Sequence, residues 1–168
     1  MKLLVIGHGR HGKDTVCEIL KQRHNLTFQS SSEFCARKFI YEVLKEKYQY
    51  TCYSDCYNDR HNHRTEWYNL ISDYCRDDAA RLGRNIFEEN DVYCGLRNKR
   101  EFHAMKNSGV FDYAIWVDRS DHLPLEDRSS MNLEPWMADY VIDNNGSVEE
   151  LKNNVHDLMK FLRNRGTA

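Results

Sequence analysis

The segment from residue 7 to residue 13 combines glycines with cations at a spacing that suits phosphate binding. Gly7 is followed by four residues and then by Gly12 and Lys13. Glycines let backbone amides wrap around an anion, and the lysine adds a positive charge at the β and γ phosphates of a nucleotide. We therefore predict an ATP-binding loop, and the alternative is a glycine turn that binds nothing. The candidate ligands are Gly7, Gly9, Arg10, His11, Gly12, Lys13, Asp14 and Thr15.

The sequence around this loop strengthens the prediction. The apolar run Leu3–Ile6 leads directly into it, and a helical pattern follows directly, so the amides and dipole of a helix N-terminus add to the site. Arg10 and His11 are expected to add positive character. The usual pattern has Ser or Thr after the lysine to contact Mg²⁺, whereas this chain has Asp14 and then Thr15, which makes Thr15 our candidate metal ligand.

The ending Gly-Lys-Asp-Thr resembles the loop of phage deoxynucleoside monophosphate kinases. Further along, residues 138–147 with Glu150 resemble the last strand and turn of nucleoside monophosphate and dephospho-coenzyme A kinases. The resemblance implies that Asn144 and Asn145 lie beside the adenine of ATP. The same turn is also a good helix start, with Ser147 as N-cap and Glu150 completing a capping box.

A third part of the resemblance follows the predicted strand Val92–Cys94. The related phage enzymes have Asp-x-Arg-x-x-x-Glu here, and Arg97 and Glu101 match that pattern. Gly95 stands at the aspartate position, so the carboxylate expected near Mg²⁺ is missing. Asp118, at the end of the next strand, is our candidate replacement. Arg97 is expected at the ligand-binding edge of the sheet, and a solvated surface arginine is the alternative.

The middle of the chain clusters cations and an aromatic residue at about residues 49–67. Guanidinium groups fork onto phosphate oxygens, and the segment resembles an Asp-Arg-x-x-His-Arg stretch of the phage kinase-like proteins. The resemblance implies an acceptor site, for which our candidate ligands are Ser31, Arg60, His63, Arg64, Trp67 and Arg97. The helical spacing of Trp67 fits a core role equally well. A zinc site of Cys52, Cys56, His61 and His63 is a competing interpretation with poor spacing.

Two arginines bracket a polar stretch that contains both prolines of the chain. This stretch, at about residues 119–136, is our candidate lid, and Arg119 and Arg128 are candidates to stabilise charge on a transferring phosphoryl group. The candidate catalytic residues are Lys13, Arg97, Arg119 and Arg128.

The elements that position these residues alternate between strands and helices. This order predicts a single α/β domain over residues 1–168, with a parallel sheet flanked by helices on both faces. The resemblance implies a three-layer P-loop kinase fold with five parallel strands in an adenylate-kinase-like order. Strands are predicted at Leu3–Ile6, 26–28, Val92–Cys94, 113–117 and 140–142, helices at 12–24, 34–48, 64–82, 99–106 and 148–162, and irregular structure at 49–63.

Composition narrows the class of protein. The chain has 168 residues, a net charge of −2 and 30% charged residues, so no basic field favours nucleic acid, and no apolar run is long enough for a membrane span. The six scattered cysteines favour reduced thiols and a cytoplasmic location, in the host if the chain is phage-encoded. A homodimer is compatible with these features.

Together these patterns predict a kinase that uses ATP and Mg²⁺ to phosphorylate a small nucleotide. The expected reaction transfers the γ-phosphoryl group of ATP to a deoxynucleoside monophosphate. One alternative is a kinase of another small phosphorylated metabolite, such as a coenzyme A precursor. A second alternative, favoured by Gly95, is a nucleotide-binding module without catalysis.

Overall fold

The computed structural model describes residues 1–165, which form a parallel five-stranded sheet with helices on both faces. Each neighbouring pair of strands is parallel, and the order across the sheet is β2-β3-β1-β4-β5. The central strand is buried along its whole length, which explains why its sequence is continuously apolar. The strands are β1 Leu3–Ile6, β2 Phe28–Ser30, β3 Val92–Cys94, β4 Tyr113–Asp118 and β5 Tyr140–Asp143.

The sheet separates two apolar layers. Leu3 and Val5 point into one layer, which is covered by α1 Lys13–His24 and α8 Val148–Arg165. Leu4 and Ile6 point into the other layer. The helices of that layer are α2 Ser31–Cys35, a π-helical turn Ala36–Ile40, α3 Tyr41–Tyr48, α4 Tyr53–Asp59, α5 Arg64–Tyr74, α6 Arg81–Glu89 and α7 Lys99–Asn107.

Several predicted elements are confirmed, with ends that differ by a few residues. Strands β1, β3, β4 and β5 and helices α1, α7 and α8 lie where they were predicted. The predicted capping box is also present, because the Ser147 hydroxyl accepts the Glu150 N–H at 3.2 Å and the Glu150 carboxylate accepts the Ser147 N–H at 2.6 Å.

Three predictions for the region between β1 and β3 are wrong. Strand β2 lies at Phe28–Ser30, two residues later than predicted. The segment predicted as irregular contains α4, whose buried residues consist of Cys56 alone, so it shows no apolar period. The single helix predicted for residues 64–82 is two helices, because the chain turns after Tyr74 and the Asp78 carboxylate accepts the Ala80 N–H at 3.0 Å.

The lid, residues 119–136, is a loop with hydrogen-bonded turns at 120–122 and 128–130, and it ends in the 3₁₀ turn Pro135–Met137. It is attached to the connection between β3 and α7. Asn132 donates its N–H to the Arg97 carbonyl at 3.3 Å and accepts the Lys99 N–H at 2.7 Å. The lid therefore runs across the end of β3.

Among residues 1–165, no helix combines the length and the apolarity that a membrane crossing requires.

Candidate functional site

The carboxyl ends of all five strands meet at one edge of the sheet. The phosphate loop, defined as residues 7–13, follows β1, and Ser31 and Gly95 follow β2 and β3. The lid follows β4, and Asn144 follows β5. Crevices outside this edge are where open parallel sheets bind ligands, so the predicted site residues come from the expected side of the molecule.

Two glycines fix the shape of the phosphate loop. Gly7 has a φ of 145°, and a Cβ there would lie 2.6 Å from the Val117 carbonyl oxygen. Gly12 has a φ of 96°, and a Cβ there would clash with the Asn144 side chain. No side chain other than hydrogen fits at either position without strain, which gives the sequence pattern its physical reason.

Lys13 is folded back over the phosphate loop. Its side chain is buried, and Nζ donates to the His8 carbonyl at 2.6 Å. Burial lowers the pKa of Lys13, and the positive charge of Arg97 lowers it further. A partly desolvated ammonium group at a helix start gains more from an incoming phosphate than a fully hydrated one would.

A carboxylate of the lid already contacts the anion-binding groups of the loop. Glu126 accepts the Gly9 N–H at 2.6 Å, and its other oxygen accepts from the Arg97 guanidinium at 2.6 Å. Burial acts to raise the pKa of Glu126, but the hydrogen bonds from Arg97 and Gly9 and the charge of Lys13 outweigh it and lower the pKa. Glu126 is therefore ionised at neutral pH and is bound by groups that would bind a phosphate.

The two histidines of the loop are structural. His8 accepts the Glu126 N–H at Nδ1, 3.0 Å away, and His11 accepts the Arg119 N–H at Nδ1, 3.1 Å away. The fully buried His11 ring therefore connects the loop to the start of the lid, and the expectation that it adds positive character stays a prediction.

Two adjoining cavities lie at this edge of the sheet. The loop-side cavity, which reaches Gly9 and Lys13, has a volume of about 550 Å³. The deep cavity, which lies further from the loop and reaches Tyr93 and Glu101, has a volume of about 480 Å³. Arg64, Arg97 and Ser31 line both. The loop-side cavity is also lined by Arg10, Lys13, Asp14, Arg60, His61 and Trp67. Cations from three parts of the chain, namely the phosphate loop, the segment around Arg60 and Arg64, and the end of β3, therefore surround one space.

Comparison with known proteins identifies the fold. Shikimate kinase from Aquifex aeolicus superposes with a TM-score of 0.54 at 15% identity, over 100% of this chain and 99% of that one. Shikimate kinase from Bacteroides thetaiotaomicron gives 0.54 at 10% identity, over 97% and 98%. A gluconokinase from Sinorhizobium meliloti gives 0.45 at 12% identity, over 98% and 96%. Neither a family model nor a curated protein matches the sequence.

The chain has the P-loop kinase fold. The five-stranded parallel sheet predicted from the sequence is confirmed, and so is the position of the glycine loop between β1 and α1. At these identities the resemblance to solved structures concerns the fold and not the substrate.

The acceptor segment, about residues 49–67, brings only part of its predicted set to the cavities. Arg64 lines both cavities, and within residues 1–165 its guanidinium has no hydrogen bond or ion pair. Arg60 lines the loop-side cavity while donating to the Tyr57 carbonyl at 2.7 Å. His63 is occupied elsewhere, because it bonds Asp59 at 2.9 Å and stacks on Tyr48.

Trp67 lies between the core and the loop-side cavity. Its side chain belongs to the core and is 5% exposed, yet it also lines the loop-side cavity. The indole Nε1 is buried and has no hydrogen-bond partner among the described residues. Base stacking by Trp67 stays a prediction.

Residues predicted near the metal and the adenine are largely bonded within the protein. The Asp118 carboxylate accepts from the Ser120 hydroxyl at 3.0 Å and from Asn145 Nδ2 at 3.2 Å. Asn144 is buried, and its side chain donates to the His11 carbonyl at 2.9 Å. Both asparagines therefore brace the loop and the lid in this structure.

Asp14, which was predicted among the nucleotide ligands, places a second carboxylate beside that of Glu126 in the loop-side cavity. It is exposed, lines the loop-side cavity and accepts weakly from the Cys94 thiol at 3.6 Å, next to Gly95. A carboxylate therefore lies beside the position where the resemblance led us to expect one, although it comes from the loop. Thr15 is exposed one residue later.

The two lid arginines differ in position. Arg119 lies against the loop, and its guanidinium donates to the Asn144 carbonyl at 3.1 Å. The Arg128 side chain is 90% exposed and pairs with Glu134 at 3.4 Å. In this structure Arg119 is thus near the phosphate loop, and a catalytic role for Arg128 stays a prediction that requires the lid to move.

The competing zinc interpretation gains no support from geometry. Among residues 1–165 there is no group of three or more His, Cys, Asp or Glu side chains arranged to hold a metal ion. Cys52 is exposed and Cys56 is buried, so the two thiols lie in different environments.

Proposed function

We propose that this protein is an ATP-dependent kinase that phosphorylates a nucleoside monophosphate, with a deoxynucleoside monophosphate as the favoured acceptor. The observation that carries the proposal is the shared space beside the phosphate loop. Lys13 at the loop, Arg64 from the acceptor segment and Arg97 from the end of β3 all line it. Lys13 suits the polyphosphate of the donor, and Arg64 and Arg97 suit an acceptor that is itself an anion.

The reaction needs little from the protein beyond position and charge. An oxygen of the acceptor phosphate attacks the γ-phosphorus of ATP, the bond from that phosphorus to the β,γ-bridging oxygen breaks, and ADP leaves. The acceptor oxygen is already ionised near neutral pH, so no base has to remove a proton. Lys13 would leave the His8 carbonyl to contact the β and γ phosphates, and Arg64 would hold the acceptor phosphate.

The residues beside the loop fit Mg²⁺, which prefers oxygen ligands. The Asp14 carboxylate lines the loop-side cavity and is the group that would hold it, because the Asp118 carboxylate is engaged by Ser120 and Asn145. Thr15 follows in sequence but lines neither cavity, so its role as a metal ligand rests on the loop pattern alone. The ion supplies charge neutralisation at the phosphates.

A second candidate is a kinase whose acceptor oxygen belongs to a hydroxyl group of a small phosphorylated metabolite. Asp14 favours it, because a carboxylate in the same cavity could accept the proton that such a hydroxyl must lose.

The test is ADP formation from ATP across a panel of ribo- and deoxynucleoside monophosphates and coenzyme A precursors. We expect turnover with at least one monophosphate, a fall in kcat/KM of roughly 100-fold or more for Lys13→Ala, and a rise in acceptor KM of about tenfold for Arg64→Ala. Lys160→Ala, an exposed change on α8, is the control and should behave as wild type.

Turnover confined to a hydroxyl acceptor would select the second candidate. ATP binding without turnover on any acceptor would leave a nucleotide-binding module and reject both kinase assignments.

A further inference from the structure

The deep cavity contains two polar groups that the proposed phosphoryl transfer does not use. Tyr93 of β3 and Glu101 of α7 line this cavity, whereas neither lines the loop-side cavity. Arg64 and Arg97 line both cavities and thus mark where they join. An acceptor whose phosphate is held by these arginines extends its other end towards Tyr93 and Glu101.

Both groups are short of partners. The Tyr93 side chain is 1% exposed, and within residues 1–165 its hydroxyl makes no hydrogen bond of good geometry. The Ser31 hydroxyl is its nearest polar contact on the cavity wall and acts to lower the pKa of Tyr93, as a weak hydrogen bond to the phenol oxygen would. Within residues 1–165 the Glu101 carboxylate makes no hydrogen bond or ion pair, and Arg100 attracts it only at longer range. Tyr93 is a buried polar group, and such groups are seldom left without a good partner in native structures. Glu101 is half-buried at the cavity wall, so its carboxylate is open to a ligand that enters the cavity.

The protonation of the two groups defines what they can bind. Burial raises the pKa of Tyr93, as does the nearby charge of Glu101, so the hydroxyl keeps its proton and can donate. Burial also raises the pKa of Glu101 to about 7. An ionised carboxylate accepts hydrogen bonds, and a hydroxyl beside it donates one.

We propose that Tyr93 and Glu101 form a specificity subsite that recognises the hydrogen-bonding edge of the acceptor's nucleobase. This inference rests on the proposed function and identifies the residues that recognise the part of the acceptor beyond its phosphate. A nucleobase edge presents an N–H donor beside an acceptor, which complements one carboxylate and one hydroxyl. A metabolite with a carboxylate at this end would instead be repelled by Glu101.

The volume of the deep cavity agrees with this occupant. Small-molecule sites occupy roughly 300–1,000 Å³, and the deep cavity has about 480 Å³. Its other lining groups include the apolar side chains of Ile71 and Leu82, which suit the flat faces of a ring.

Equilibrium binding to the full-length chain tests the subsite independently of turnover. The probes are the four deoxynucleoside monophosphates and 2-deoxyribose 5-phosphate, which has the same sugar and phosphate but no base. We expect at least one monophosphate to bind about tenfold or more tightly than the base-free probe. Tyr93→Phe and Glu101→Gln should each reduce that ratio severalfold while leaving the affinity for the base-free probe unchanged.

Tyr140→Phe is the matched control, because its hydroxyl lies on β5 and accepts from Arg165 at 3.2 Å. This variant should keep the full ratio. A melting curve checks that each variant is folded.

Equal affinity of the wild type for all five probes, or an unchanged ratio in both variants, would overturn the subsite. Failure of the kinase proposal would give a different result. A chain that forms no ADP could still bind a monophosphate more tightly than 2-deoxyribose 5-phosphate, and the two variants could still reduce that ratio of affinities.

Discussion

The Glu101 carboxyl links protonation to stability. Burial raises its pKa to about 7, and the nearby positive charge of Arg100 only partly opposes this. The other titratable groups that face it are Tyr93, Cys35 and Cys75, whose own pKa values are raised partly by the Glu101 charge. In the folded chain the ionised form of Glu101 is therefore unfavourable, and unfolding removes this cost by returning the carboxylate to water.

We predict that Glu101→Gln stabilises the protein at high pH and has little effect at low pH. Below the ordinary pKa of a glutamate both states carry the proton and the carboxyl costs nothing. As pH rises towards 7 the unfolded chain ionises first, and the cost to the folded state grows to about 3 kcal/mol above that pH. Urea unfolding at pH 5 and pH 8 measures the difference between variant and wild type.

The exposed change Glu88→Gln on α6 is the control and should show no such pH dependence. A gain for Glu101→Gln that is the same at both pH values would show that the side chain acts through packing and not through its charge.

At the scale of elements, the lid places the Glu126 carboxylate where it would compete with a phosphate for the phosphate loop. Glu126 engages the Gly9 N–H and Arg97, two groups that a polyphosphate would need. Under the proposed function, ATP would have to displace this carboxylate, and the free energy of the two charge-assisted hydrogen bonds would be subtracted from its affinity.

We predict that Glu126→Gln binds ATP about five- to tenfold more tightly than the wild type. The amide is neutral and holds Arg97 and Gly9 less strongly, so less free energy is lost when the lid gives way. Equilibrium titration with a non-hydrolysable ATP analogue measures the change. Asp121→Asn, which removes an exposed lid carboxylate, should leave the affinity as it is. Weaker binding by Glu126→Gln would mean that the carboxylate supports the nucleotide instead of competing with it.

The elements that could be predicted from the sequence are those whose defining residues lie within a few positions of one another. The run before Gly7 and the glycine spacing identified β1, the phosphate loop and the start of α1, because each constraint acts within a few residues. The capping box at Ser147 was equally local. Helix α4 was missed because it buries only Cys56 and lacks an apolar face that a period could reveal.

The parts of the candidate site that the sequence did not reveal depend on contacts between distant residues. Glu126 lies 117 residues from Gly9, and no spacing rule connects an acidic residue in a polar loop to an amide that far away. Tyr93 and Glu101 belong to different elements and share a cavity only through the fold. The sequence showed Asp14 as a departure from the usual loop pattern. Its position near Gly95 could not be predicted, because it depends on β1 and β3 being neighbours in the sheet.

At the scale of the whole molecule, Arg97 connects the two cavities. It lines both of them and is paired with Glu126, which also holds Gly9 of the phosphate loop. A nucleotide that displaces Glu126 would free Arg97 for the acceptor phosphate. Donor and acceptor sites would then be coupled through one carboxylate, and such coupling acts equally in both directions.

We predict that a bound non-hydrolysable ATP analogue tightens binding of the acceptor monophosphate about fivefold or more, within the usual range for coupled sites. Titrations of the acceptor with and without the analogue measure this ratio. Glu126→Gln should bring the ratio close to one, because Arg97 is already released before the nucleotide arrives, while Asp121→Asn should keep the wild-type ratio. Equal acceptor affinity in the presence and absence of the analogue would mean that the Arg97–Glu126 pair opens independently of the phosphate loop.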